Sequence, residues 1–423
     1  MKLLFVLVVL VLAIKARVEK CGRVLPSPAV QRPANRSHIS YAVMFDAGST
    51  GTRIHVYAFI HTHTEALPVL ENEKFHSMKP GLSAHIHYPE TARHSVRTLL
   101  KVAERTVPRP LWKNTPVMLR ATAGLRLMSA EKARALLREV RRAFNESPFL
   151  VPDNSVAIMD GISEGILAWV TVNFLSGHLH AHQEQKLGIL DLGGASTQIT
   201  FLPKLTDFSS FEKSTPAVDI VRVDILNSTF RLYTHSYLGN GLMAARLSML
   251  SARVFKSPCL PRKFRDKWTF GGETYQVSGD PDGASGYKAC YEDVFKTVKG
   301  VVHHRHLGEQ KTLFYAFSYY FDRAVDAHLI HEVDGGLLEV RDFRRRAKEV
   351  CKDSRKGTFT VSPFLCLDLT YISCLLTEGL GFKDNTKLQL SKKVNNVEAS
   401  WALGATLDHF KNLHIHLRER GGG

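Results

Sequence analysis

The chain has 423 residues, 44% of them hydrophobic and 23% charged. That excludes wholesale disorder, collagen-like repeats and coiled-coil fibres, and leaves room for two or three domains at about 150 residues each. Lysine and arginine outnumber aspartate and glutamate 56 to 40, a net charge of +16, which favours solubility and attraction to polyanions, nucleotides included, without specifying a fold.

Met1 and Lys2 precede an unbroken apolar run from Leu3 to Ile14, closed by Lys15, Ala16 and Arg17. A run of this length suits the core of a signal peptide and falls short of the roughly 20 residues that span a bilayer as a helix. Residues 1–16 are expected to be a signal peptide, with a short uncleaved signal anchor as the alternative. Either one places the globular part in the secretory lumen, as endoplasmic reticulum, Golgi or secreted protein, and a membrane partner follows only if the leader is retained. Sequons at Asn35, Asn145 and Asn227 agree with that compartment. Asn145 is weakened by Pro148, so glycosylation is expected at Asn35 and Asn227.

Residues 17–40, rich in Pro, Arg and Ser without periodicity, read as a linker. A strand opens at Tyr41–Phe45, breaks at a Gly/Ser/Thr loop and resumes with Ile54, Val56 and Ala58 alternating. Ser129 is placed to cap a helix running to Asn145, with Ala133, Leu137, Val140 and Phe144 on one face. Ser163 is expected to cap another helix, from Glu164 to Ser176, with Gly177 as its stop. Five of the six cysteines lie in the C-terminal half. In an oxidising lumen the simplest pairing joins Cys259 to Cys290 and Cys351 to Cys366, leaving Cys374 and Cys21 without partners. Histidine pairs at His-x-His spacing, such as His61/His63 and His303/His304/His306, lack Cys or carboxylate partners at ligand spacing, and no zinc site is expected.

The most informative feature is an internal echo. Asp46-Ala-Gly-Ser-Thr-Gly-Thr-Arg-Ile54 and Asp191-Leu-Gly-Gly-Ala-Ser-Thr-Gln-Ile199 align without a gap, 191 − 46 = 145 residues apart. A duplicated strand–loop–strand at domain spacing implies two similar α/β lobes, each presenting one loop to a shared cleft. Small residues let successive backbone amides approach an anion and cradle it. An Asp at the mouth of such a loop would repel phosphate directly, but suits a hydrated divalent cation that sits on phosphate oxygens. Between the loops, Glu164 opens a helix. A Glu in a first helical turn is commonly only a dipole partner; its functional reading is a general base for a water that attacks phosphorus, kept ionised by the helix N-terminus.

Five blocks in this order, MFDAGSTGTR at 44–53, ATAGLR at 121–126, DGISEGILAWVTVNFL at 160–175, LDLGGASTQITF at 190–201 and SWALG at 400–404, resemble the nucleoside triphosphate diphosphohydrolase (apyrase) family, and within it the luminal or secreted nucleoside diphosphatases. The resemblance implies an α/β fold of two RNase-H-like lobes, of the actin/Hsp70/sugar-kinase type, with the site between them. The expected division is 41–163 plus 393–418 for the first lobe and 164–392 for the second, with a hinge near 160–165. It further implies Ca²⁺- or Mg²⁺-dependent hydrolysis of UDP and GDP to monophosphate and phosphate, in support of glycosylation.

Carried over at matching positions, Glu164 is the base, and Ser196 with Gln198 positions the water. Asp46 and Asp191 hold the metal through water. Amides around Gly48, Ser49, Thr50, Gly51 and Thr52, and around Gly193, Gly194 and Ala195, bind phosphates. Thr122 lines the metal–water network, Arg53 supplies charge, Tyr319 is the candidate for stacking on the base, and Trp401 packs behind the site. The cysteine pairing above agrees with the family's pattern. The alternatives are a broader tri- and diphosphatase of the same family, or a basic polyanion-binding secreted protein whose charge (Arg344–Arg346, for example) is its function. A sugar kinase of this superfamily would need an acceptor pocket for which no match is found. No nucleic-acid partner is expected, and oligomeric state is not legible.

Overall fold

In a computed structural model the strand opened by Tyr41 in the sequence reading begins earlier, at His38. The structure describes residues 38–61, 67–180, 185–203, 219–225, 228–252, 255–281, 283, 285–299, 312–355, 362–411 and 413–416. The leader, Cys21, Asn35, Asn227, His63 and His303, His304 and His306 lie outside them. The chain divides into Met1–His38 and Ile39–Gly423, and the second unit is described here by itself. No helix among its described residues is long and apolar enough to cross a membrane.

The first sheet is built from β1 (His38–Ala47), β2 (Thr52–His61), β3 (Val69–Met78), β4 (Val117–Ala121) and β5 (Val156–Ile158), in the order β3-β2-β1-β4-β5. β2 and β3 are antiparallel, whereas β1, β4 and β5 run parallel. Further strands are β6 (Gly188–Leu192), β7 (Ser196–Phe201), β8 (Ile220–Ile225), β9 (Ser228–Leu238), β10 (Lys256–Ser257), β11 (Arg265–Phe270), β12 (Glu273–Gly279), β13 (Phe314–Ser318), β14 (Gly336–Glu339), β15 (Lys387–Leu390), β16 (Lys393–Val394), β17 (Val397–Glu398) and β18 (Ile415–His416).

The eight-stranded second sheet contains the run β9-β7-β6-β13-β15. This repeats the order of the first sheet strand for strand, again with an antiparallel hairpin side and a parallel side. The two aligned aspartates end the central strands β1 and β6 of the two copies, where the carboxyl ends of parallel strands open a crevice.

The alternation expected of β2 is absent because both faces of that strand are covered. Ile54 and Val56 pack with Val43 and Phe45 beneath α1 (Pro89–Thr106) and, beyond the short α2 (Ala123–Arg126), α3 (Ala130–Asn145). Tyr57 and Phe59 belong to a second core that includes α4 (Gly161–Leu175). Ser129 does cap α3, accepting from the Lys132 amide. α4 is capped by Asp160 rather than by Ser163: its carboxylate accepts from the Ile162 and Ser163 amides at 3.0 and 2.9 Å. A carboxylate at that place satisfies two amides that the helix leaves free. Gly177, at φ 75°, follows the helix as expected.

The far face of the second sheet carries α5 (Leu242–Ser251), α6 (Tyr287–Val298), α7 (Tyr319–Asp326), α8 (Val340–Arg355) and α9 (Leu365–Cys374). Both expected disulfides are present, Cys259–Cys290 and Cys351–Cys366, and Cys374 is a buried free thiol. α10 (Ala402–Lys411) lays Phe410 edge-on against Phe59 of the first sheet, with ring centroids 5.4 Å apart. Two expected boundaries shift. His38–Ser40, counted with the linker, belong to β1. Ile415 and His416, counted with the first lobe, pair with Val223 and Arg222 of the second sheet, because an edge strand there leaves its backbone groups to be satisfied.

α4 and α10 cross so closely that a Cβ at Gly404 would lie 2.1 Å from the Leu167 carbonyl oxygen, and the Gly404 amide donates to Thr171 Oγ1 at 2.8 Å. Gly404→Ala is expected to cost about 1–3 kcal/mol, the usual range for overpacking, seen as a lower thermal midpoint. An unchanged midpoint would contradict so tight a crossing.

Candidate active site

The echo in the sequence is an echo in hydrogen bonds. The Gly48 amide donates to the Gly51 carbonyl and the Gly193 amide to the Ser196 carbonyl, each at 3.0 Å, so the two hairpin turns close alike. They also face each other: a Cβ at Gly194 would lie 2.4 Å from Ser49 Oγ and 2.7 Å from Thr50 Cγ2. The first loop is held from behind by Ser83, whose hydroxyl donates to the Ser49 carbonyl at 3.2 Å. The first turn of α5 holds the second, with the Leu242 amide on the Gly193 carbonyl and the Met243 and Ala244 amides on that of Gly194. Loop carbonyls are thus tied down, while among the described residues the Ser49, Thr50, Gly51, Gly194 and Ala195 amides donate to no backbone carbonyl. That leaves donors for an anion.

Glu164 reaches the same cleft because α4 starts with glycines. A Cβ at Gly161 would lie 2.3 Å from Ser236 Oγ, and one at Gly165 2.6 Å from Thr200 Oγ1, so the helix lies directly on β7 and β9. Glu164 Oε2 accepts from Arg126 Nη2 at 2.8 Å and Gln198 Nε2 at 3.1 Å. Ser196 Oγ accepts from the same two nitrogens, at 3.1 and 2.8 Å. With both lone pairs of Ser196 engaged, its hydroxyl hydrogen is left to donate elsewhere. Gln198 Oε1 is buried without a partner.

Asp46, Asp191 and Glu164 share this interior with Glu398, whose Oε2 is buried without a partner. Asp46 Oδ2 accepts from Arg53 Nη1 at 2.6 Å, but Asp46 Oδ1 and Asp191 Oδ1 are buried and unpartnered. Burial pushes the Glu164 carboxyl up to about 8; Arg126 pulls it down, and the charges of Asp191 and Asp46 add to the rise. The expected helix N-terminus therefore does not keep Glu164 ionised by itself. Burial likewise raises Asp191 to about 6, against a hydrogen bond from Ser318 and with Asp46 pushing the same way. Orphaned, buried carboxylate oxygens with hydroxyls nearby fit a hard divalent cation, which takes oxygen ligands and would lower both carboxyls.

The cleft holds about 450 Å³ and is lined by Asp46, Gly48, Ser49, Thr50, Gly51, Arg53, Thr122, Glu164, Asp191, Gly193, Gly194, Ala195, Ser196 and Tyr319, with Trp401 also in its wall. Gln198 lies beneath Ser196, buried. Thr52 is not in the wall, since it is taken into the β2–β3 ladder opposite Met78. Compared with known proteins, residues 33–419 match the GDA1/CD39 (nucleoside phosphatase) family.

The chain belongs to that family. Among its relatives in the GDA1/CD39 family, ectonucleoside triphosphate diphosphohydrolase 5 of Gallus gallus is 55% identical, over 89% of this chain and 88% of the relative. Nucleoside diphosphate phosphatase ENTPD5 of Homo sapiens is 53% identical over the same shares. Ectonucleoside triphosphate diphosphohydrolase 6 of Rattus norvegicus is 45% identical, over 90% and 84%. The fold is that of nucleoside triphosphate hydrolases from Neospora caninum, with a TM-score of 0.61 at 14% identity over 95% of this chain and 96% of that one. An Aquifex aeolicus PPX-GPPA enzyme aligns with a TM-score of 0.50 at 14% identity, over 88% and 100%. The two-lobed, actin-like α/β architecture of the GDA1/CD39 chain follows.

Two groups of the site carry no signal that the motifs above made visible. Arg126, the last residue of ATAGLR, received no role, yet it touches both Glu164 and Ser196. The second group brings Arg246 to the cleft wall. Arg246 donates through Nε to Asp368 Oδ1 at 2.7 Å and through Nη2 to Oδ2, with its guanidinium 4.4 Å from the centroid of the Phe364 ring. The signal was present: one Arg in the apolar helix LMAARLSML and one Asp in the apolar helix LCLDLTYISC are two buried charges that require each other.

Glu164 titrates higher in the fold than the ordinary carboxyl value of 4.5. It therefore supports folding while protonated, and that support is lost as pH rises through about 8. In cation-free buffer Glu164→Gln is expected to unfold at a higher temperature than wild type above about pH 8, the gap closing below about pH 4.5. A difference in melting temperature that does not vary with pH would contradict the raised carboxyl.

Proposed function

We propose that this nucleoside phosphatase hydrolyses nucleoside diphosphates, UDP and GDP among them, to monophosphate and phosphate, using Ca²⁺ or Mg²⁺ in the secretory lumen. The observation that carries the reading is the meeting, in one cleft, of Glu164 and Ser196, both held by the buried Gln198, with free loop amides and two orphaned aspartate oxygens.

Phosphoryl transfer leaves the protein mainly positioning and charge stabilisation to do. Asp46 and Asp191 would hold the cation through water, and when bound it neutralises phosphate charge. Amides of Ser49, Thr50, Gly51, Gly194 and Ala195 donate to the phosphoryl oxygens. Glu164 accepts a proton from water, Gln198 Oε1 accepts that water's other hydrogen, and the Ser196 hydroxyl donates to its oxygen, leaving a lone pair for the β-phosphorus in line. The bond to the bridging oxygen breaks, monophosphate leaves, and no phosphoenzyme is needed. Arg126 holds Glu164 and Ser196 in register. Tyr319, with the Arg323 guanidinium 5.6 Å from its ring centroid, offers a braced face to the base.

The leader and the sequons Asn35 and Asn227 support a luminal location, as do two disulfides, which persist in oxidising compartments. There the enzyme would remove the nucleotide product that glycosyl transfer releases.

Glu164→Gln is expected to cut turnover at least ~100-fold, the lower end for losing a general base, while nucleotide still binds; unchanged turnover would remove Glu164 from the role. Chelation should abolish phosphate release from UDP, and Ca²⁺ or Mg²⁺ should restore it. Full activity in chelator would contradict the role given to Asp46 and Asp191.

A further inference from the structure

The hairpin of β11 and β12 turns in two residues, Gly271 and Gly272, at φ 63° and 89°. A two-residue turn with both φ positive follows the twist of its strands and favours glycine. The two glycines differ in their surroundings. A Cβ at Gly271 would meet nothing within 4 Å, whereas one at Gly272 would lie 2.8 Å from Ile86 Cγ2 and 3.2 Å from the Ala84 carbonyl oxygen. Glu273, the next residue, meets the same stretch, with Oε1 2.9 Å from His87 Nε2. Residues 84–87 belong to the link from β3 of the first sheet to α1, while Val277 of the hairpin lies in the core beneath the second sheet.

That link bears on the first glycine loop. Ala84 sits in a single 3₁₀ turn, Leu82–His85, with Ser83, whose hydroxyl holds the Ser49 carbonyl. Just before the turn, a Cβ at Gly81 would lie 2.4 Å from the Gly48 carbonyl oxygen and 2.8 Å from the Thr50 nitrogen, so the link is pressed against the loop backbone. The other end of the hairpin is fixed as well. Trp268 of β11 stacks on Phe270 and meets Phe364, with ring centroids 5.8 and 6.2 Å apart. Phe364 in turn carries the guanidinium of Arg246, from α5, the helix whose first turn holds the second loop. The contacts close a ring. It runs from Ser49 to Gly194, through α5 to Arg246, Phe364, Trp268 and Gly272, and back by Ala84 and Ser83.

We infer that Gly272 is a positioning residue for the reaction: from outside the cleft, the hairpin tip bears on Ala84 and Ile86 and so sets where the Ser49, Thr50 and Gly51 amides stand opposite Gly194 and Ala195. This rests on the reading above that those amides take phosphoryl oxygens, and adds what fixes their spacing. Amides that stabilise charge developing on phosphoryl oxygens act only where they are already in place. The exposed His87–Glu273 pair contributes little by itself, as surface ion pairs do; the close approach of the Gly272 backbone does the holding.

The test measures kcat and KM for UDP in Gly272→Ala, in Gly271→Ala and in Gly272→Ala combined with Ile86→Ala, each at a temperature where its melting curve shows it folded. Both glycine variants put a side chain at a positive φ, but only Gly272→Ala strikes residues 84–86. It is expected to lower kcat by about ten-fold or more, within the roughly 100-fold that a 1 Å misplacement from far away can cost. KM should move less than kcat, since the displaced contacts matter most in the transition state. Gly271→Ala should keep a kcat close to that of wild type. Ile86→Ala removes the Cγ2 that the new Cβ meets, so the double variant should recover kcat, a result that can be read even where Gly272→Ala alone does not fold. Equal losses in the two glycine variants, a loss confined to KM, or no recovery in the double variant would overturn the inference and leave the phosphatase reading standing. Failure of the wild-type chain to release phosphate from any nucleoside diphosphate would overturn that reading, and this inference with it.

Discussion

Four carboxylates, Asp46, Glu164, Asp191 and Glu398, are buried in the wall of one cleft, and among the described residues only Asp46 and Glu164 of these accept from an arginine. Moving a carboxylate out of water costs several kcal/mol unless partners replace the lost hydration. Arg53 answers Asp46 and Arg126 answers Glu164, yet one oxygen of each aspartate is left with nothing. The protein tolerates this because the loops bearing the aspartates are fixed by groups outside the cleft: Ser83 behind one, the first turn of α5 behind the other. A charge deficit held in place by rigid neighbours is a standing demand for a cation, and phosphate oxygens are what a cation so placed would attract.

The duplication explains why there are two aspartates, and its divergence explains why the site has two sides. Position 53 of the first copy corresponds to 198 of the second, 53 + 145. The first copy places an arginine there, which turns back to its own Asp46. The second copy places a glutamine, which ignores Asp191 and reaches Glu164, Ser196 and Ser236. One hairpin therefore has its following side chain holding charge, and the other has it ordering the groups that handle water. Arg126, from between the two copies, ties the base to the second hairpin.

Much of this was legible in the chain because the relevant signals are local. The gapless echo, the small residues of both loops, the Ser129 cap and the order of the cysteines all act within a few residues of where they are read. What escaped was non-local. Arg126 meets Glu164 only because β4 and β5 are neighbours and α4 lies across β7 and β9; nothing in ATAGLR by itself says so. Asp160 displaced Ser163 as the cap because a carboxylate one turn earlier could serve two amides. Ile415 and His416 joined the second sheet because its edge was open, a fact that no stretch of sequence near them records. The alternation expected in β2 disappeared for a similar reason: helices cover both faces of the first sheet.

The central claim, that buried and mutually repelling carboxylates at the meeting of the two hairpins are completed by a divalent cation, can be measured without turnover. Calcium or magnesium is titrated calorimetrically into the protein at about pH 6, where Asp191 is half protonated, in two buffers of different ionisation heat. The account predicts binding accompanied by proton release, and a smaller release in Asp191→Asn, where Glu164 alone still gives up a proton. Binding that releases no protons, or a release unchanged in the variant, would contradict it.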